Sequence, residues 1–96
     1  MDKNKVISYI GFAVKSGAAV IGGDNIEKSK KPLIVVLVCD SASDRLKKNM
    51  RRFGGKTEVI AVENLEQISK IGGCKALAIT DKSLAEAVIQ QLRGSL

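Results

Sequence analysis

The chain contains no histidine and no tryptophan, and its two cysteines, Cys39 and Cys74, stand far apart. Without histidine the most common general base is missing. Two thiols without a CxxC spacing cannot complete a tetrahedral metal site. We therefore expect no catalytic residues, no metal and no cofactor. Cys39 follows an apolar run, a position typical of a small buried residue rather than of a reactive thiol.

Long apolar runs are also absent, since no stretch approaches the roughly 18 apolar residues that a membrane span needs. Residues 1–5 lead into a segment with polar residues at Ser8, Lys15 and Ser16, a pattern unlike a signal peptide. We expect a cytoplasmic protein with no membrane partner. Ninety-six residues, 45% of them hydrophobic, predict a single domain over residues 1–96.

Aromatic side chains are scarce, because Tyr9, Phe12 and Phe53 are the only three. All three stand at positions that we expect to lie in the core, so the core must be mainly aliphatic. Single-stranded nucleic acid is commonly held on exposed aromatic rings. Stacking of that kind is therefore disfavoured by the sequence.

Positive charge is concentrated in one segment. Residues 28–56 carry nine basic and two acidic residues, a net charge of +7, whereas the rest of the chain carries −1 of the total of +6. A one-sided field of this kind suits a polyanion such as RNA. The alternative is a solvated surface that keeps the protein soluble.

The chain is organised around residues 33–38, six consecutive apolar residues that do not alternate with polar ones. Such a strand must be covered on both faces, which indicates the centre of a sheet with helices on either side. Periodicity, glycines and capping residues then predict nine elements. They are helix 3–16, edge strand 18–21, helix 26–30, strand 33–38, a helix to about residue 53, buried strand 57–62, helix 65–71, strand 76–80 and a final helix.

Side-chain caps are predicted at most helix starts. Asp24 or Gly23 would begin the second helix, Asp40 or Ser41 the third, and Asp81 or Ser83 the last, while Asn64 with Gln67 has the character of a capping box. Gly54-Gly55 would end the third helix. The alternation of helices and strands indicates an α/β fold with a largely parallel sheet and helices on both faces.

Several stretches together resemble the YlxQ-type bacterial members of the kink-turn-binding ribosomal-protein superfamily (the 7Ae/30e type). They are Gly11 to Gly17, Val20-Ile21-Gly22, the run 33–38 with Cys39-Asp40-Ser41-Ala42-Ser43, Lys47-Lys48, and Ala78-Ile79-Thr80-Asp81. The resemblance implies a three-layer α/β/α sandwich around a four-stranded mixed sheet. It also implies a non-catalytic protein that binds structured, kink-turn-like RNA such as ribosomal RNA, with no DNA specificity.

In this family the start of the second helix and a loop before the fourth helix hold the RNA. Carried over, these are Gly22, Asp24, Asn25 and Lys28 at the helix start and Glu63, Asn64 and Leu65 in the loop. Gly23 belongs to the same helix start, and the charge of Lys30 and Lys31 predicts further phosphate contacts beside that helix. Gly22 and Lys28 match the family pattern, whereas Asp24, Asn25 and Glu66 depart from it, and both segments are shorter.

Two functional interpretations stay open. In the first, Lys28 neutralises a phosphate, Asn25 contacts a base edge, and Leu65 packs against a splayed base. In the second, these residues only cap a helix, and the protein is an interaction or regulatory module that has lost specific RNA binding. The departures at Asp24, Asn25, Glu63 and Glu66 motivate the second interpretation.

Overall fold

A computed structural model describes residues 3–53 and 57–93. Its elements are α1 (Lys3–Ser16), β1 (Ala19–Ile21), α2 (Gly23–Lys28), β2 (Val35–Cys39), α3 (Asp44–Arg51), β3 (Glu58–Val62), α4 (Leu65–Ser69), β4 (Ala76–Ile79) and α5 (Lys82–Arg93). The predicted order and type of all nine elements are confirmed, to within a few residues at each end. The predicted stop at Gly54-Gly55 lies outside the described residues.

The four strands form one mixed sheet in the order β1-β4-β2-β3. The mixed sheet is confirmed, but the expectation that it is largely parallel is wrong. Only the β2–β3 pairing is parallel, and β4 runs antiparallel to both β1 and β2. The last strand enters between the first two, so the helical crossovers do not generate a continuous parallel array.

β2 is the buried centre of this sheet, as its uninterrupted apolar run predicts. All five of its residues are buried, because α4 contacts it from one side and α3 from the other. The helices form two groups by contact: α1 packs against α4 and α5, and α2 packs against α3. These groups make the outer layers of an α/β sandwich.

β3 and Phe12 are more exposed than the sequence predicts. β3 is an edge strand that is mostly half-buried rather than fully covered, and Ala61 in it is exposed. Phe12 is not a core residue, since 62% of it is exposed, whereas Tyr9 and Phe53 are half-buried against the core. Phe12 points away because Val6, Ile10 and Ala13 form the buried stripe of α1.

The helix caps also differ from the predicted ones. The N-cap of α2 is Gly22, which has a φ of 91° and makes no side-chain bond, and that of α3 is Ser43, later than predicted, whose Oγ accepts a hydrogen bond from Leu46 N at 3.2 Å. The N-cap of α4 is Asn64, in a left-handed conformation without a side-chain bond, so the capping box is absent. Asp81 does cap α5, because its Oδ1 accepts from Leu84 N at 2.9 Å.

Candidate nucleic-acid interface

β1, β2 and β3 all finish at the same end of the sheet, and β4 begins there. Backbone hydrogen bonds hold this end together: Gly22 N donates to Ala76 O at 2.9 Å and Cys39 N donates to Lys75 O at 2.8 Å. Asp40 N donates to Val62 O at 2.9 Å. We call this the site end of the sheet. It brings together the start of α2 and the β3–α4 loop, which the sequence resemblance implicates separately.

The start of α2 is fixed by two glycines for different reasons. Gly22 has a φ of 91°, a conformation that side chains with a Cβ rarely adopt. Gly23 lies against α3, since a Cβ placed there would be 2.5 Å from Leu46 Cδ1. The buried Ile26 then anchors the helix to the core. The backbone of this short helix is therefore held in one position relative to the sheet.

Asn25 and Lys28 are exposed on α2, but the Asn25 side chain already makes one hydrogen bond within the protein. Its Nδ2 donates to Ile21 O at 2.8 Å, which fixes the side chain and leaves Oδ1 as the available acceptor. Asp24 is exposed in the first turn, and Lys28 follows one turn later. Lys28 thus provides a cation next to a fixed amide, an arrangement suited to a phosphate and a base edge.

Lys30 and Lys31 follow the end of α2 rather than its start. The chain after them leads to the opposite end of the sheet, where Ile34 N donates to Ile79 O at 2.9 Å and Thr57 Oγ1 donates to Leu33 O at 2.8 Å. A five-residue strand spans about 16 Å, and this length separates the two ends. The phosphate contacts expected of Lys30 and Lys31 beside α2 stay a prediction.

The β3–α4 loop supplies two exposed residues and one core residue. Glu63 and Asn64 are exposed, and the Asn64 carbonyl accepts hydrogen bonds from Gln67 N at 3.0 Å and Ile68 N at 3.1 Å. Leu65 is completely buried. Leu65 cannot pack against a splayed base without local unfolding, so that expected role is wrong.

Sequence reasoning missed Lys75, the second cation at the site end. Lys75 Nζ lies 2.6 Å from Glu66 Oε1 and donates to Ser41 Oγ at 3.0 Å, while Glu66 Oε2 accepts from Gly73 N at 3.2 Å. The hydrogen bond to Lys75 and that from Gly73 lower the pKa of Glu66, and Glu66 in turn raises the pKa of Lys75. Glu66 is thus balanced by a neighbouring lysine. The position of Lys75 just before a strand gave no signal, because the register with β2 is a tertiary property.

A small polar cavity of about 210 Å³ lies beside this ion pair, with Cys39 and Ser41 in its lining. Cys39 Sγ lies 3.1 Å from Ser41 Oγ. Burial raises the pKa of the Cys39 thiol, but hydrogen bonds with Ser41 and the backbone of Leu65 outweigh burial and lower it overall. Burial raises the pKa of Cys74. Both cysteines are free and buried, as expected for Cys39.

Within residues 3–53 and 57–93, no three residues among histidine, cysteine, aspartate and glutamate cluster in a way that could hold a metal ion. No helix among them is long and apolar enough to cross a membrane.

Comparison with known proteins gives a likeness of fold. No protein-family model matches the chain, and no curated protein matches it. A solved structure, described as that of a protein with unknown function from Bacillus halodurans, superposes with a TM-score of 0.81 at 18% sequence identity. The match covers 93% of this chain and 97% of that one. At this identity the likeness establishes the α/β fold and nothing about activity.

Proposed function

We propose that this protein is a non-catalytic, cytoplasmic RNA-binding protein that holds structured RNA at the site end of the sheet. The observation that supports the proposal is that two segments far apart in sequence, the start of α2 and the β3–α4 loop, lie at the same end of the sheet. The YlxQ-type resemblance implicates both segments in holding kinked RNA. Ribosomal RNA is a suitable class of partner, because its folded regions offer such kinks.

The revised site is smaller than the sequence suggests. Lys28 provides a cation, Asn25 Oδ1 provides an acceptor, and Glu63 and Asn64 line the facing loop. Glu66, whose acidity argues against RNA binding, is neutralised by Lys75 at 2.6 Å. The charge of Glu66 therefore argues against RNA binding much less than the sequence alone implies.

Binding of a kink-turn RNA tests the proposal, with a control RNA that lacks the tandem sheared G·A pairs. The variant Asn25→Ala/Lys28→Ala should lower affinity for the kinked RNA by about tenfold and make the salt slope shallower by about 0.9. The matched control is Lys82→Ala/Gln90→Ala, which removes one lysine and one amide that are exposed on α5. Equal binding of both RNAs, or equal losses in both variants, would contradict the proposal.

A protein-interaction function is a second candidate, favoured by Phe12. This ring is 62% exposed and lines an apolar groove of about 400 Å³ between α1 and α4, with Ile7, Gly11 and Ile68 also in the lining. Large exposed apolar residues beside a groove are typical of contact surfaces. A partner retained after nuclease treatment and lost in Phe12→Ser, together with no RNA affinity, would favour this candidate.

A further inference from the structure

A second groove, of about 400 Å³, lies on the other layer of the sandwich between α3 and the edge strand β3. Its walls are Lys47 and Arg51 on α3 and the exposed face of β3. It is open because β3 pairs with β2 on one side and no helix covers its outer part as fully as β2 is covered. We call it the α3–β3 groove.

The groove presents two cations, Lys47 and Arg51, that form no ion pair with a carboxylate among the described residues. Lys47 and Arg51 are one helical turn apart, about 6 Å along the axis, and like charges at this spacing repel. The ion pairs in the part of the chain that the structure describes are Glu66–Lys75 and Glu58–Arg93. Sequence reasoning places Lys47 on the outer, solvated face of α3, but it is half-buried and faces the groove.

An acidic residue in the same groove does not cancel this charge. Glu58 lines the groove beside Arg93, and the two form an ion pair with each other. The lining therefore keeps two net positive charges, carried by Lys47 and Arg51. An anion with two negative groups about one helical turn apart would remove the repulsion between these two side chains.

The floor of the groove is aliphatic. Val38 of β2 and Val59 and Ala61 of β3 share one face of the sheet, because the parallel register pairs Val38 with Ala61. Half-buried Val59 and exposed Ala61 remain open to contact. A ligand that fits this groove therefore needs an apolar, flat part on the floor and anionic groups along one wall, which are the features of a nucleotide.

One end of the groove lies toward the site end. Ala61 is two residues before Glu63, and α3 begins just after β2 ends, so Lys47 lies nearer the site end than Arg51 does. A strand of RNA leaving the kinked site could follow β3 with successive phosphates against Lys47 and Arg51.

We propose that the α3–β3 groove binds a single-stranded nucleotide tract, with phosphates on Lys47 and Arg51 and bases or sugars on the aliphatic floor. The choice of RNA as the source of this tract rests on the proposed function. A free mononucleotide has the same chemistry, and the experiment distinguishes the two sources.

The test is fluorescence anisotropy with three probes: a labelled six-nucleotide single-stranded RNA, a kink-turn RNA, and the same kink-turn RNA with a single-stranded extension. The variant is Lys47→Gln/Arg51→Gln. Its control, Lys48→Gln/Arg52→Gln, removes the same two residue types at the same spacing on the same helix, outside the groove. Both variants relieve like-charge repulsion and should fold, which circular dichroism verifies.

The groove variant should lose at least fivefold of its affinity for the single strand, and its salt slope should become shallower by about 1.4 because two phosphate contacts disappear. The control variant should lose less than about twofold of its affinity for the single strand. The extension should strengthen binding to the wild type but not to the groove variant. If AMP displaced the labelled oligonucleotide at the same concentration as unlabelled oligonucleotide does, the groove would be a site for a free mononucleotide. The proposal of a single-stranded tract would then be overturned.

Other outcomes overturn the proposal in distinct ways. Equal losses in the two variants would show diffuse attraction along α3 rather than a groove. Equal displacement by polyglutamate would show that any polyanion suffices. Asn25→Ala/Lys28→Ala could leave the affinity for kink-turn RNA unchanged while the groove variant still loses affinity for the single strand. That result would refute RNA binding at the site end and support the groove proposal.

Discussion

Replacing Glu66 by glutamine should strengthen RNA binding. Glu66 Oε1 holds Lys75 Nζ at 2.6 Å, so the one lysine that the β4 side contributes to the site end is paired within the protein. Glutamine preserves the size of the side chain and can still accept from Gly73 N, but it removes the negative charge. Lys75 would then be free to contact a phosphate.

The size of the effect follows from counterion release. One additional phosphate contact steepens the dependence of log affinity on log salt by about 0.7 to 0.9. Between about 200 and about 50 mM salt, this adds a factor of about three to the gain in affinity. Titration of a labelled kink-turn RNA at the two salt concentrations measures it.

Glu86→Gln is the matched control, because Glu86 is an exposed acid on α5 away from the site end. It changes the net charge equally without releasing Lys75. If Glu66→Gln and Glu86→Gln give the same slope, Lys75 does not contact RNA and the reasoning is refuted.

The same ion pair predicts a pH dependence of folding. Glu66 has a pKa below its ordinary value, chiefly through the Lys75 hydrogen bond and then that of Gly73. A carboxylate whose pKa is lower in the folded state stabilises the fold above the ordinary value, and this contribution is lost as the pH falls through the lowered pKa. Urea unfolding from neutral to acidic pH should show a smaller loss of stability in Glu66→Gln than in the wild type. An identical acid profile would refute the assignment.

Three further changes test other features of the fold. Lys70 has a φ of 60°, so Lys70→Gly should be more stable than Lys70→Ala by about 0.5–1 kcal/mol in urea unfolding, and equal stabilities would contradict the left-handed backbone. Ser43→Ala should cost about 1 kcal/mol by removal of the α3 cap, whereas Ser83→Ala should cost little. Iodoacetamide should label Cys39 before Cys74, because the pKa of Cys39 is lowered and that of Cys74 is raised; mass spectrometry would reveal the reverse order.

The order of elements was predictable because it depends on local patterns. The run that contains β2 has no polar interruption, and the buried stripe of α1 repeats at helical spacing. The relative directions of the paired strands were not predictable in this way. Alternating helices and strands suggest parallel pairing, but β4 enters antiparallel between β1 and β2, a choice made by tertiary packing.

The predicted helix starts were wrong for a related reason. The segment after β2 first makes a turn, in which Asp40 N donates to Val62 O and Ala42 N donates to Cys39 O, so α3 begins only after Ser43. Asp40 and Ser41 are good capping residues by type, but their backbones are already committed to the sheet end. Local preference was therefore overridden by pairing with β3.

The candidate site was half predictable. The segment from Gly22 to Lys28 and the loop at Glu63 and Asn64 follow strands that finish at the same end of the sheet. Leu65 turned out to be core, and Lys75 was missed. Its alignment opposite Cys39 depends on the β2–β4 register, which no local pattern encodes.

The fold also changes what the concentrated positive charge can do. If all nine basic residues of segment 28–56 met one polyanion, the salt slope would approach about −6 to −8. The structure instead divides them: Lys28 lies at the site end, Lys47 and Arg51 line the groove, and the segment with Lys30 and Lys31 leads to the opposite end. Three phosphate contacts give a slope of about −2 to −3. A slope near −7 for an RNA that spans both surfaces would therefore mean that charge alone drives binding, with no role for the placement of these side chains.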